Sequence, residues 1–492
     1  MINCRNNMNH TSATPILLAL AITLSGCAVN PVSGSHEVVL LSVAGEKEIG
    51  AKNAKLVEKE MGLFDDPALL NYVQAIGNRL AQNSPYQEVS YQFQIVDTIE
   101  PNAFALPGGY VYVSRGLLVL MNSEHELAGV IGHEIGHVAA RHGVQRLTRS
   151  APIGLVTGIT SAAVGIVSSS LADVVSGTGS ALNSAILSPY SRSQENDADK
   201  IGQELAAKAG WNPDGITLFL NTLDRETKRN GNSDKGIQFL STHPSTPERV
   251  KKTEQRVGQF QRAKRQPIAS SHADFLAKLN GLIVGADARQ GVMIKQKFLH
   301  PVMGVGLTFP ETWETVNRPE YVAAVDKQQN AALVLQLQDE GNDPTIAAQS
   351  FIDEANLGNE TVKKLSISGL PATQIILNQR GQQVTITWIA FQNQIFRLTG
   401  VSKNTRGNIP QALKKSIASF HQLSANEKKE IHQQRLRIVS VRNGESLTAL
   451  LQRTGSDWDE EACAIANNLQ LDATLKKGQL VKVVISEPYN NK

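Results

Sequence analysis

Apolar positions between Glu46 and Ala81 recur at helical spacing, with Leu56, Met61, Leu70, Val73, Ile76 and Leu80 on the repeating face. The pattern there is helical. The period then shortens: between Val89 and Val96, Tyr91, Phe93 and Ile95 alternate with polar residues, as in a half-buried strand. Asn102-Ala103-Phe104-Ala105-Leu106-Pro107-Gly108-Gly109 interrupts the pattern before a second strand, Tyr110 to Val113. Pro107 and the two glycines suit an edge or a bend better than the middle of a sheet. Such an edge can pair with an extended peptide, and equally it can be a plain hairpin whose glycines only turn the chain. Helical spacing returns in Leu127, Val130, Ile131 and Val138, led by Ser123 and Glu126 three residues apart, a capping-box pattern. This helix should run to about Leu147. Another opens at Ser193-Gln194-Glu195 and runs through Leu205 to about Ala209, where Gly210 and Pro213 are stop signals.

Further on, Arg262-Ala263-Lys264-Arg265-Gln266-Pro267 reads as a linker. Strands are then expected at Val302–Phe309, Tyr321–Val325, Ala332–Leu337, Thr373–Leu377, Gln383–Phe391 and Ile395–Val401, with Asn393 and Gln394 in a hairpin turn. Helical segments cover Thr345–Leu357 and Pro410–Phe420. No cluster of catalytic residue types stands out here, so an interaction or regulatory role is the default for residues 271–421. The last stretch begins with a strand at Arg437–Val441, turns at Asn443-Gly444-Glu445-Ser446-Leu447 into a helix, and ends near Ile485. The fold class expected is α+β multidomain: a mainly helical first domain with a small edge sheet, an α+β domain, and a small βααβ module.

The N-terminus changes this picture. Arg5 is the only charge before an apolar run from Pro15 to Leu24, closed by Leu24-Ser25-Gly26-Cys27. That run is too short for an ordinary spanning helix and reads as a secretory signal over residues 1–26. Small residues directly before a cysteine resemble a bacterial lipobox, in which Cys27 is acylated and becomes the mature N-terminus; a plain signal peptide cut nearby is the other reading. The resemblance implies that Ala28 directs sorting to an outer membrane. Cys4 leaves with the signal and Cys27 carries lipid, so Cys463 has no partner for an internal disulfide. A formal net charge of +3 leaves no nucleic-acid footprint. Residues 151–171 carry no charge, but Pro152, Gly154, Gly158 and Gly165 dilute the apolar residues. Mobile helices or loops over a cleft are expected there, with membrane contact as the alternative.

Chemistry concentrates in His133-Glu134-Ile135-Gly136-His137. Histidines at i and i+4 stand one above the other on a helix and can both reach one metal ion, with Glu134 about 100° further round, placed to hold a water. Glu195 and Asp199 repeat the i, i+4 spacing, which suits a carboxylate ligand plus a carboxylate holding a histidine's other N–H; it suits equally a first turn that favours the helix dipole. Ser241-Thr242-His243-Pro244-Ser245-Thr246-Pro247-Glu248-Arg249 places a histidine on a proline-flanked loop before a helix beginning near Pro247. By itself such a histidine is as ordinary as any surface residue.

These four stretches, Asn102 to Gly109, His133 to His137, Glu195/Asp199 and Thr242-His243-Pro244, occur in the order found in the HtpX and CAAX-prenyl-protease type of zinc metallopeptidase. The chain is similar to its soluble periplasmic lipoprotein branch over roughly residues 36–262. The resemblance implies a metallopeptidase domain over 46–262, preceded by a lipid-anchored segment over 27–45. It implies one Zn2+ per chain held by His133, His137 and Glu195, with Glu134 as general base and Asp199 supporting a ligand. Asn102, Ala103, Phe104 and Ala105 would form the substrate edge strand. His243 would lie in the active site, either stabilising the oxyanion or occupying the fourth zinc position as a latch. Unfolded or misassembled envelope proteins are the implied substrates, and the periplasm is the implied location, with the lipid in the outer membrane. The chain lacks the 34-residue helical repeats of one branch of the family. Thr308-Phe309-Pro310-Glu311-Thr312-Trp313 resembles the PsbP/Mog-like fold, and 435–486 resembles a LysM domain, which implies a possible peptidoglycan partner. Gly455 to Glu461 departs from the usual LysM loop. Two other functions remain open: a peptidoglycan-associated hydrolase, and a chaperone-like scaffold whose metal site is latent.

Overall fold

Two helices occupy the first apolar stretch: α1 (Val43–Met61) and α2 (Pro67–Ala81). Gly62 ends the first at a φ of 71°, and Asp66 caps the second, accepting from Leu69 N with Pro67 in the first turn. This is a computed structural model; it describes residues 27–29, 32, 34, 36–38, 41–150, 188–229, 231, 238–244, 246–328, 330–358, 360–379, 381–403 and 410–490. The signal over 1–26 and the uncharged stretch 151–171 lie outside the described residues. Cys27–Val29 (β1) pairs antiparallel with His36–Val38 (β2).

The next three strands are β3 (Gln92–Val96), β4 (Ala103–Leu106) and β5 (Tyr110–Ser114), in the spatial order β3-β5-β4. β3 starts three residues later than the alternation implies. Tyr91 turns its hydroxyl back to Ser84 Oγ (2.8 Å) and Tyr86 O (3.2 Å), which holds the preceding segment in a bend. β4 is an edge strand, as the Pro-Gly-Gly sequence after it suggested, and β3 is the other. Its side chains alternate: Ala103 and Ala105 join the main core, whereas Phe104 and Leu106 pack beneath α1 with Val57 and Tyr112.

A short helix, α3 (Arg115–Leu120), leads into α4 (Glu124–Ala139), which carries the histidine pair. Ser123 caps α4 by accepting from Glu126 N, but the Glu126 carboxylate returns to Asn122 N (2.9 Å) rather than to the cap residue's own N–H. The expected continuation to Leu147 fails. The chain breaks at Arg141, which has a φ of 55°, and α5 (His142–Ser150) leaves in a new direction. α6 (Arg192–Lys208) is capped by Ser191 with a full capping box to Gln194. α7 (Gly215–Arg229), α8 (Gln238–Thr242), α9 (Pro247–Arg256) and α10 (His272–Leu279) complete this part. Its core runs through Ile76, Leu80, Leu127, Ile131, Leu205, Trp211 and Phe219.

Residues 292–422 form the second sheet system. Seven antiparallel strands lie in the order Lys363–Ile367, Leu370–Gln379, Gln382–Phe391, Gln394–Lys403, Ala331–Glu340, Tyr321–Asp326 and Trp313–Arg318. The hairpin turn sits at Gln392–Asn393, one residue earlier than expected, because these two residues adopt the positive φ (48° and 60°) that a tight two-residue loop requires. Strand Val305–Thr308 is shorter than its apolar run because Gly304 N closes a turn onto His300 O at 2.8 Å. Helix Pro344–Glu354 covers Ile375, Ile386 and Trp388, and helix Gln411–Ala418 covers the opposite face at Leu333 and Leu398.

The C-terminal module has the expected βααβ order: His432–Ser440, Leu447–Thr454, Glu460–Ala466 and Leu480–Pro488. Its strands pair antiparallel with Leu436 opposite Val484. It does not stand apart, since Leu436, Ala466 and Val484 belong to the same core as Leu127 and Ile131. Lys482, fully buried, donates to Val119 O (2.9 Å) and Met121 O (2.7 Å), the backbone leading into α4. Burial pulls the Lys482 ammonium well below its ordinary range. Lys482→Met keeps the stem and strips two buried carbonyls of their donor. A loss of about 1–3 kcal/mol in urea denaturation is expected, with local opening of residues 119–123 in hydrogen exchange.

Candidate metal centre

The site depends on how closely α4 and α6 approach. A Cβ built on Gly136 would lie 2.8 Å from Ala198 O, and one on Gly202 would lie 2.7 Å from His133 N. With no side chain at either position, the two backbones touch, and Glu195 and Asp199 are brought level with His133 and His137. Glycine in HEIGH is therefore a packing residue. Among helix interiors glycine is costly, so its presence there was the sequence signal for a close neighbour.

His133, Glu134, His137, Glu195, Asp199 and His243 are all buried, none more than 2% exposed. His133 Nε2 lies 3.0 Å from His137 Nε2 and 3.2 Å from His243 Nδ1. Glu195 Oε1 is 3.4 Å from His137 Nε2 and 3.0 Å from His243 Nδ1. Four ligating atoms, one each from His133, His137, Glu195 and His243, thus lie within 4.8 Å of one another. Donors bound at about 2.0–2.1 Å in a tetrahedron stand about 3.4 Å apart, so this set fits a zinc ion.

The surroundings set the charges. Burial works against the charged form of Glu195, but His243 and Arg249 beside it outweigh it and hold the carboxyl well below its usual range. Burial, helped by the neighbouring His133 and His243, outweighs Glu195 and lowers His137 far below an ordinary imidazole, which keeps it neutral. Burial also disfavours a charge on His243, yet the carboxylates of Glu195 and Glu134 overcome it and raise that ring. Asp199 is held at about 2: burial opposes ionisation, and Arg249 more than compensates. Arg249 donates to both Asp199 oxygens (2.7 and 2.8 Å) and sets Nη1 2.7 Å from Glu195 Oε2. Asp199 Oδ1 in turn lies 2.9 Å from His133 Nδ1.

Glu134 points into the same space. Both its oxygens are buried and accept no hydrogen bond among the described residues, burial raises its carboxyl, and His243 Nε2 lies 3.5 Å from Oε1. Tyr190 stacks on His137 at 3.8 Å, and Phe239 stacks on His243 at 4.6 Å. A small cavity beside His137 is bordered by Ala105 and Leu106 of β4, so the edge strand reaches the site at its C-terminal end. Phe104, by contrast, stacks on Tyr112 away from it, leaving only its backbone to face the edge.

A family model described as Peptidase family M48 matches residues 67–257. The chain carries an M48 peptidase domain. Across 263 residues the chain is 30% identical to a beta-barrel assembly-enhancing protease of Yersinia pestis, covering 52% of each chain. It is 28% identical over 257 residues to the protein of that name from Escherichia coli (strain K12), covering 51% of each. It is 30% identical over 228 residues to the mitochondrial metalloendopeptidase OMA1 of Schizosaccharomyces pombe, covering 46% of this chain and 65% of that one. The chain spans about half the length of the beta-barrel assembly-enhancing proteases it matches. M48 metallopeptidases use zinc, and the donor set of this M48 domain fits that ion.

The site gathers His133, Glu134, His137, Glu195, Asp199 and His243, and it adds three residues that sequence reasoning left unassigned. Arg249 was part of the quoted loop, but its role needs α9 to fold back on α6. His142 lies five residues past His137, a spacing without meaning on a continuous helix. Tyr190 lies among residues with no periodic signal.

Proposed function

We propose that this chain is a zinc-dependent endopeptidase, with His133, His137 and Glu195 holding the ion, Glu134 as general base and Asp199 fixing the His133 ring. The observation that carries this reading is the buried four-donor cluster with the Glu134 carboxylate beside it. When bound, zinc supplies Lewis acidity, which polarises a carbonyl oxygen and makes a water acidic enough to attack near neutral pH. Glu134 takes the proton from that water and returns it to the leaving amine. Asp199, itself fixed by Arg249, holds the proton of His133 on Nδ1 so that Nε2 stays a donor. The backbone of β4 receives the substrate as an added strand, its edge position and its contact with the cavity at Ala105 and Leu106 supporting this. Cleavage of casein by purified protein should appear with zinc and vanish with a chelator, returning when zinc is restored. Cleavage that persists after complete metal removal sinks the proposal.

His243 serves as the latch rather than the oxyanion donor. Its Nδ1 is one of the four clustered donor atoms, 3.2 Å from His133 Nε2 and 3.0 Å from Glu195 Oε1, which supports a closed resting state. His243→Ala should therefore raise cleavage of an unfolded substrate; a fall in kcat would favour the oxyanion role. The same closed arrangement favours one second reading, a scaffold whose peptidase is latent until a client moves residue 243.

The division into 46–262, 271–421 and 435–486, with an acylated Cys27 in 27–45, completes the reading. It places the protein in the periplasm, anchored to the outer membrane, acting on misassembled outer-membrane proteins. The names of the matched beta-barrel assembly-enhancing proteases and the signal-like N-terminus support this. Among the described residues no helix is long and apolar enough to cross a membrane. Residues 271–421 act as a PsbP/Mog-like interaction domain. The βααβ order supports a LysM-like final module and, through it, peptidoglycan as a possible partner.

A further inference from the structure

The second histidine of the helix pair is backed by another histidine. His142 Nδ1 lies 2.9 Å from His137 Nδ1, and both rings are buried, at 2% and 1% exposure. A continuous α-helix cannot make this contact: five residues at 100° each carry a side chain about 140° round the axis. The break at Arg141 makes it. Arg141 takes a φ of 55°, which costs a non-glycine residue about 1 kcal/mol or more, and this departure from helical backbone lets His142 meet His137. The strained residue is held by its own side chain. Arg141 Nε donates to Glu46 Oε2 at 3.0 Å and Nη2 donates to Leu41 O at 3.0 Å. Glu46, 1% exposed, also accepts from Tyr86 Oη at 3.2 Å and from Gly108 N, next to the edge strand, at 3.2 Å.

We propose that His142 is a positioning residue for the metal centre: it accepts a hydrogen bond from His137 Nδ1 and so fixes His137 as an Nε2 donor. The assignment of the proton follows from the geometry and rests on the zinc reading above. His137 Nε2 faces His133 and Glu195, so coordination requires it to be unprotonated and places the ring proton on Nδ1. The atom 2.9 Å away must then be the acceptor, which puts the His142 proton on Nε2. The two helix ligands are thereby backed differently, His133 by the carboxylate of Asp199 and His137 by a neutral imidazole. A neutral acceptor raises ligand basicity less than a carboxylate does, and it adds no further negative charge to a site that already holds Glu134, Glu195 and Asp199.

Zinc affinity by chelator competition, measured on the full chain, tests this with three proteins. His142→Leu removes the acceptor and should bind zinc about 10- to 100-fold more weakly. His142→Asn can set its Oδ1 near the lost Nδ1 and should restore affinity to within a fewfold of wild type. The thermal midpoint of the metal-free protein should be the same for both variants. Equal zinc affinity in wild type and His142→Leu, or an asparagine variant as weak as the leucine one, defeats the proposal. Should the leucine variant fail to fold, 15N spectra of the imidazoles in zinc-loaded wild type still decide it. His142 should show an unprotonated Nδ1 and a protonated Nε2; a proton on its Nδ1 overturns the assignment. Absence of tight zinc binding in wild type would take down the metal reading itself, whereas tight binding that ignores residue 142 takes down this inference alone.

Discussion

Glu134→Gln is expected to lower casein cleavage by about 100- to 10,000-fold, the range associated with loss of a general base, while leaving one zinc per chain in place. The amide keeps the shape of the carboxylate and touches none of the atoms assigned as ligands. It also removes a charge that burial makes costly, since both Glu134 oxygens are buried without a hydrogen-bond donor among the described residues. The melting temperature of the metal-free variant should therefore match or exceed that of wild type. Metal content by elemental analysis separates loss of the base from loss of the ion. A zinc-loaded variant that still cleaves at near wild-type rate would falsify the assignment of Glu134.

Arg249→Met should produce the largest loss of stability. Arg249 is 6% exposed and satisfies Asp199 through two hydrogen bonds while lying against Glu195. Removing one partner of a buried pair leaves the other charge uncompensated, which typically costs about 3–5 kcal/mol. Two carboxylates are abandoned here, so the metal-free protein should show the full effect in urea denaturation. Zinc supplies positive charge to the same cluster, and the loss should shrink when the ion is present. Arg249→Lys keeps the charge but not the paired geometry and should fall between the two. The acid limb carries the same signature. The Asp199 carboxyl is held at about 2 against 3.8 when unperturbed, so its contribution is present above about pH 4 and is lost as pH falls towards 2. Arg249→Met should flatten that limb. An unchanged urea midpoint in the metal-free variant would show that water, not Arg249, compensates these charges.

The helix pair His133/His137 and the spacing of Glu195 and Asp199 were legible because helical periodicity is a local property: 100° per residue places i and i+4 on one face wherever the helix ends up. The Ser123 cap was legible for the same reason, accepting from a backbone N–H three residues on, whereas α6 is capped by Ser191, two residues ahead of the expected opening at Ser193. The edge character of β4 followed from Pro107 and the glycines behind it. Helix ends were less legible. The break at Arg141 violates local preference, and it persists because Glu46, 95 residues away in sequence, holds the guanidinium.

What the sequence determined by itself was the set of metal-binding residue types and their order along the chain. Only the tertiary structure decided how they meet. The approach of α4 to α6 across Gly136 and Gly202 aligned the carboxylates with the histidines, and the fold of α8 and α9 brought His243 and Arg249 over them. Packing likewise set the last module, whose buried Lys482 grips the backbone before α4, although nothing local distinguishes that lysine from its exposed neighbours in sequence. The reason is one of range: periodicity, capping and turn preferences act over a few residues, whereas burial and charge compensation depend on partners that the chain supplies from far away.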